Sequence, residues 1–294
     1  MILANGSSCI VPPITGANIE GVFTIRKAKD IFLIHDFIKA NDIKNITIIG
    51  GGLLGIEAAW ALKQSSNIFN ISIIDNSGRL LSRQLDEEGS SILKDIMVKN
   101  GINLYTGVKE IYGNKSVNYI ELVDGGKLPS EMVIISAGIK SNTGIAKESG
   151  ININKGIIVD SKMKTNLDNI YAAGDCAEFN NFIWGIWPVA MEQGKIAGLC
   201  SCGFETEYTE IVPSNLLQVM DVNVFSAGDI SGKDSEQLKY EDNIYTKLFH
   251  KNGILCGAIL IGDTKKGFAL KKAIEKQTNF SEKIANGNNI MGLL

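Results

Sequence analysis

Histidine is nearly missing from this chain: two occur in 294 residues, His35 and His250, and neither has a nucleophile or a metal-ligating cluster beside it in sequence. Side-chain acid–base catalysis built on histidine is therefore not the expected chemistry, and no catalytic side chain is assigned. Cysteine is sparse as well. The five present, Cys9, Cys176, Cys200, Cys202 and Cys256, are odd in number and show no C-x-x-C spacing, which argues against a disulfide framework and a standard zinc site. Cys200-Ser201-Cys202 comes nearest to a redox or metal pair, but no further ligands cluster there, and two ordinary thiols near a helix end are expected. Charge of one sign is also lacking. With 29 basic against 32 acidic residues, a net charge of -3 and no long like-charge block, nucleic acid is not an expected partner. No apolar run exceeds strand length and no N-terminal stretch has the pattern of a signal peptide. No membrane partner and a reducing, cytoplasmic compartment follow as expectations.

What the chain does have is glycine in one telling place. The apolar run Ile46-Thr47-Ile48-Ile49 leads into Gly50-Gly51-Gly52-Leu53-Leu54-Gly55, which opens into Ile56-Glu57-Ala58-Ala59-Trp60-Ala61-Leu62. A G-x-G-x-x-G between a strand and a helix, with an acidic residue ending the next strand, is the pattern of a dinucleotide site. The next strand here is Ile71-Ser72-Ile73-Ile74, and Asp75 ends it. Gly50 permits the tight turn, Gly52 lets backbone approach a pyrophosphate, Leu53 starts the helix, and Gly55 lets helix and strand pack closely.

The length suggests roughly two domains of about 150 residues, and the 45% hydrophobic content supports real cores. Met1-Ile2-Leu3-Ala4 reads as a buried strand, so the chain is expected to open in the middle of a fold. Residues 28–40 show helical periodicity in Ile31, Leu33, Ile34 and Phe37. From residue 45 the order is strand, helix, strand, a helix over 85–100 and a strand over 103–106, a βαβαβ unit. Short strands around 110–112 and 118–123, a turn at Asp124-Gly125-Gly126 and the strand Met132-Val133-Ile134-Ile135 close it as an antiparallel meander. A second cluster runs from Ser136-Ala137-Gly138 through a strand over 156–159 to Asn169-Ile170-Tyr171-Ala172-Ala173-Gly174-Asp175, and Pro188 marks a helix start. From about residue 208 short strands return, with a helix over 268–276, as a separate α+β tail. Residues 281–294 are expected to fray.

These motifs resemble, in order and over nearly the whole chain, the FAD-dependent pyridine nucleotide oxidoreductases with two dinucleotide-binding domains, nearest their rubredoxin-reducing and nitrite-reducing branches. Leu3-Ala4-Asn5-Gly6-Ser7 looks like the family's first linker strand, with Asn5 in place of a threonine. Ser136-Ala137-Gly138 looks like the second linker strand, Tyr171 to Asp175 like the second FAD motif, and Trp187-Pro188-Val189-Ala190-Met191-Glu192-Gln193-Gly194 like the helix start facing the flavin ring. The fold implied is α/β: a Rossmann-like NAD-binding domain (45–138) inserted in an FAD-binding domain (1–44 and 139–206), with a small C-terminal α+β domain (207–294) that shapes an acceptor surface. Family members open with a further glycine motif in a first βαβ unit for FAD. Only 49 residues precede Gly50, too few for the linker and such a unit of about 30 or more residues. That unit is expected to be absent, so the FAD-binding domain reads as truncated.

The resemblance implies NADH and FAD as cofactors. NADH would be held by Gly50, Gly52, Leu53, Gly55, Glu57, Asp75 and Gly138, and FAD by Gly6, Gly174, Asp175, Trp187, Glu192 and Gln193. Asp75 is read as a ribose ligand that repels a 2′-phosphate, or as a solvated turn residue; Arg79 and Arg83 follow it and leave NADPH open. Glu57 is read as a nicotinamide neighbour or as a favourable charge at a helix N-terminus. Trp184 and Trp187 wall the flavin or merely pack. The function implied is hydride transfer from NADH to FAD and electron delivery to a small rubredoxin-like acceptor protein; a homodimer stays open. The alternatives are a non-catalytic NAD-binding fragment and the electron-input component of a nitrite reductase.

Overall fold

The computed structural model describes residues 1–231, 234–241 and 244–281, so the expected fraying of 281–294 falls almost wholly outside them. Six α-helices lie within the described residues: α1 (Ala28–Ala40), α2 (Leu53–Ser65), α3 (Glu87–Lys99), α4 (Gly144–Glu148), α5 (Trp187–Ser201) and α6 (Gly267–Glu275). The chain forms two compact units. One comprises Met1–Ile10 and Gly138–Ile211; the other comprises Val11–Ala137 and the described residues from Val212 onward.

The second unit is built on a five-stranded parallel sheet, ordered Val22–Thr24, Met132–Ile135, Asn45–Ile49, Asn70–Ile74, Ile102–Tyr105. Its inner strands are mostly apolar, interrupted within by Thr47 and Ser72 alone, because both faces are covered. Ile46, Ile48, Ile71 and Ile73 pack under α2 and α3 with Ile56, Ala59, Leu93 and Met97. Ile49, Ile74, Val133 and Ile135 turn the other way, onto Ile111, Ile120 and Leu122 of the antiparallel meander Val108–Tyr112, Tyr119–Leu122, Lys127–Pro129. Each such fully buried side chain contributes roughly 1.5–3 kcal/mol. The meander turns where expected: Gly125 has φ +87 and the Gly126 amide donates to Asp124 Oδ1 at 2.9 Å.

The C-terminal strands form a second, antiparallel sheet, ordered Ser214–Val219, Val222–Gly228, Ile254–Ile261, Ile244–Lys251, Ser235–Glu241. The hairpin at its centre turns on Asn252 (φ +52) and Gly253 (φ +77), the backbone that a two-residue type I′ turn demands. Period-two alternation gives the sheet two apolar faces. Phe225, Leu248 and Leu260 meet Leu270, Ala273 and Ile274 of α6. Leu217, Val219, Val224, Tyr245, Ile259 and Ile261 join the core beneath α2 and α3. The tail is α+β as expected, and the sheet face turned away from α6 packs onto the core of the parallel-sheet domain.

The first unit contains only short strands. Ile2–Leu3 runs parallel to Tyr171–Ala172, Ser7–Cys9 antiparallel to Ile139–Ser141, and Ile157–Ile158 parallel to Ala177–Glu178. Its core joins Val189, Ile196 and Ala197 of α5 to Ile157, Met163, Ala172 and Cys176. The expectation of a buried strand at Met1–Ala4 is corrected here. Met1 is 66% and Ile2 40% exposed, because this two-residue strand pairs on one edge and only Leu3 turns onto the core. Among the described residues no helix is long and apolar enough to cross a membrane.

Candidate functional site

The glycine loop opens α2, and its three motif glycines are required for different reasons. Gly50 has φ +122, and a Cβ there would stand 2.2 Å from the Ser136 carbonyl oxygen. At Gly55 a Cβ would stand 2.1 Å from the Gly50 carbonyl, so helix and loop touch backbone to backbone. Gly52 is unlike both. Its φ of -82° suits any residue, and a Cβ would meet nothing within 4 Å. Nothing in the chain itself requires glycine at 52; open space at the N-cap of a helix does suit a ligand that must approach the backbone. No side chain caps α2, so its first-turn amides are not satisfied from that side. Uncapped amides at the positive end of a 13-residue helix form a cradle that fits a diphosphate.

Asp75 sits beneath this loop. Its Oδ2 accepts the Gly51 amide at 2.7 Å, and its Oδ1 accepts the amide and hydroxyl of Ser77 at 2.8 and 2.5 Å. Beside it opens a cavity of about 510 Å³, with Ser77, Arg79, Ser90, Lys94 and Tyr105 among its walls. Arg79 is tied down by donating to the Ser82 carbonyl at 2.8 Å, whereas Arg83 is exposed and does not line the cavity. Glu57 lies at an exposed position on α2, yet its surroundings desolvate the carboxyl and raise it above the usual carboxylate range. Leu53 is half-buried at the helix start.

A second polar cluster occupies the first unit. Ser7 Oγ donates to Asp175 Oδ2 at 2.9 Å, and Ser141 Oγ donates to the Asp175 carbonyl at 2.5 Å. Gly6 (φ +65) leaves open space where a side chain would stand. Gly174 (φ +77) donates its amide to Oε1 of Gln193, which is 2% exposed, at 2.9 Å. Gln193 thus clamps the Gly174-Asp175 turn from within instead of facing outward. α5 starts with Pro188 in its first turn and no side-chain cap, and Trp187 stands 78% exposed at its tip. Glu192, one turn on, is half-buried and 3.5 Å from Lys195. Trp184 stacks on Phe182 with ring centroids 5.3 Å apart.

The remaining sequence-level candidates fall elsewhere. Gly138 (φ +101) accepts the Ile10 amide at 2.9 Å in the first unit; it is Ser136 that reaches the glycine loop. Cys176 is buried below Asn5 and Gly6, donates to the Leu3 carbonyl at 3.4 Å, and is pushed up in pKa by that burial. Cys200 is buried against the Thr206 carbonyl while Cys202 is exposed, as ordinary thiols would be. Sequence reasoning missed the roles of Ser7, Ser77 and Ser141. Ser77 had a local signal, since a serine two residues after an aspartate commonly closes an Asx turn; Ser7 and Ser141 had none.

The family described as Pyridine nucleotide-disulphide oxidoreductase matches residues 1–194, and that described as Rubredoxin NAD+ reductase C-terminal domain matches residues 213–278. The chain is 36% identical over 291 residues to a nitrite reductase [NAD(P)H] of Bacillus subtilis, covering 96% of this chain but 35% of that protein. It is 34% identical over 282 residues to an NADH-rubredoxin oxidoreductase of Clostridium acetobutylicum, covering 95% and 70%. The crystal structure of NADH:rubredoxin oxidoreductase from Clostridium acetobutylicum superposes with a TM-score of 0.78 at 33% identity, covering 97% of this chain and 73% of that one.

Proposed function

The chain belongs to the pyridine nucleotide-disulphide oxidoreductase family, and on that premise we propose that it is an NADH-dependent flavoprotein reductase delivering electrons to a small, rubredoxin-like acceptor protein. The observation that carries the reading is Gly52: an uncapped helix start with open space where a side chain would be, over a carboxylate already oriented by the Gly51 amide. In this reading Gly50, Gly52, Leu53 and Gly55 hold the diphosphate of NADH, Asp75 orients the adenosine ribose, and Glu57 stands near the nicotinamide. Gly6, Asp175 and the start of α5 hold FAD. Gln193 and Gly174 keep the Asp175 turn in place, and the uncapped α5 start stabilises negative charge on what it faces. When bound, NADH supplies a hydride and FAD takes it up and can release its electrons singly. The protein's own part is position and electrostatics.

The acceptor is drawn from the match to the rubredoxin reductase C-terminal domain. A second reading, electron input to a nitrite-reducing protein, is favoured by the Bacillus subtilis relative and differs only in the acceptor. The visible spectrum of the purified protein tests the proposal. A flavin band near one per chain, bleached by NADH and restored by oxidised rubredoxin, supports it. Colourless protein that still binds NADH overturns it in favour of a non-catalytic NAD-binding chain.

A further inference from the structure

One carboxylate joins α3 to the C-terminal sheet. Asp86 is the N-cap of α3, with Oδ1 accepting the Gly89 amide at 2.9 Å. Its Oδ2 accepts both the Tyr245 hydroxyl and the Lys247 ammonium, each at 2.7 Å, from a strand about 160 residues further along the chain. Tyr245 is 0% exposed, and its hydroxyl lies 3.4 Å from Glu88 Oε2. Its ring stands 3.5 Å from where a Cβ on Gly89 would be, so ring and helix meet through bare backbone. Burial works against the Asp86 charge, but the bonds from Lys247, Gly89 and Tyr245 outweigh it and hold the carboxyl below the usual range.

The adjoining stripe of α3 has a different neighbour. Glu87, Ser91 and Lys94, spaced to share one helix face, line the 510 Å³ cavity beside Asp75, together with Ser90. The first turns of the helix are therefore tied to the C-terminal sheet through Asp86 and wall the cavity with Glu87, Ser90 and Ser91. A shift of its first turn moves that wall, and the polar groups that tie Asp86 in place at that turn, Tyr245 and Lys247, belong to the C-terminal sheet.

We propose that Tyr245 and Lys247, acting through Asp86, are positioning residues for the dinucleotide cavity, so that the C-terminal sheet sets the fit of the adenosine half of NADH. This rests on the reading of the Asp75 cavity as the adenosine site. Charge-assisted bonds converging on one largely buried carboxylate are the strong kind, and such a network holds a single geometry.

Calorimetric titration of the whole protein with ADP-ribose, well below its melting temperature, tests this with no need for turnover. Tyr245→Phe and Lys247→Met should each raise the Kd about five- to tenfold, a change of about 1.0–1.4 kcal/mol. Lys247→Arg, which restores the ion pair, should stay within about twofold. Because both side chains act through one carboxylate, the double variant should lose less than the two single losses combined. Folded variants with a lowered Tm and an unchanged Kd overturn the inference and leave a purely structural tie. No ADP-ribose binding by the unaltered protein overturns the reading of the cavity, and the inference with it. Should Tyr245→Phe fail to fold, the Lys247→Met and Lys247→Arg pair decides the matter.

Discussion

The Gly51 amide donates to the Asp75 carboxylate across 2.7 Å, so the turn of the glycine loop and the acidic end of the next strand form one rigid piece. Ser77 occupies the other carboxylate oxygen. Both oxygens are aimed before a ligand arrives, and their remaining lone pairs are what a ribose diol would meet.

Asp75→Asn should therefore keep the fold while weakening NADH. Loss of a charged hydrogen-bond acceptor corresponds to about 1.5–3 kcal/mol, or roughly ten- to a hundredfold in kcat/KM for NADH. NADPH should lose less, since the repulsion of its 2′-phosphate goes too. Steady-state kinetics with both nucleotides checks this, and an unmoved NADH/NADPH ratio would remove Asp75 from the specificity determinants.

The three motif glycines should separate in a pairwise test. Gly50→Ala and Gly55→Ala drive a methyl into backbone oxygens 2.2 and 2.1 Å away, and should lower Tm and NADH affinity together. Gly52→Ala meets no protein atom within 4 Å and should leave Tm within about a degree or raise it slightly, because alanine narrows the unfolded ensemble. NADH affinity should nevertheless fall at least tenfold. Thermal melts beside fluorescence titrations distinguish the two patterns.

Gln193 makes a prediction in the first unit. Gln193→Leu keeps the apolar stem but leaves the Gly174 amide without the partner it has at 2.9 Å. A buried donor left unpaired costs about 1–3 kcal/mol, and the Asp175 turn should loosen with it. Urea unfolding should show the lost stability, and the flavin-to-protein absorbance ratio should drop. A normal flavin ratio would confine Gln193 to a structural role.

The pH dependence of stability should carry the mark of Asp86. Its folded-state pKa is lowered, so its contribution is fully present above the unfolded carboxylate value near 3.9 and is lost as pH falls through the lower folded value. Asn also caps helices, so Asp86→Asn isolates the charge. The wild type should exceed it in urea midpoint most at pH 6–7, with the gap closing below about pH 4. A gap that does not change between pH 7 and 3 would contradict the ionised, Lys247-paired carboxylate.

Local pattern made much of this molecule legible. The periodicity over 28–40 predicts a helix, and α1 occupies Ala28–Ala40. The short strands read beyond residue 208 are there, Ile254–Ile261 among them. The glycine motif announced both the turn and the helix after it. In each case the signal lies within a few residues of the structure it specifies, because backbone conformation and side-chain periodicity are local properties. The Ser7–Asp175 bond joins residues 168 apart, and the Tyr245–Asp86 bond joins residues 159 apart. Serine, tyrosine and aspartate occur at many positions, and nothing near any of the four indicates its partner.

The sequence by itself determined a parallel, glycine-punctuated α/β domain with a tight turn at the start of one helix, because the steric demands at Gly50 and Gly55 and the apolar strands act over a few residues. Only the tertiary structure decided that the C-terminal strands pack onto the parallel-sheet core. Their alternation presents two apolar faces, and α6 is large enough to cover one; Leu217, Val224, Tyr245 and Ile259 reach a dry environment only by packing under α2 and α3. That burial, set by which surfaces fit and not by any short motif, brings Tyr245 and Lys247 to Asp86.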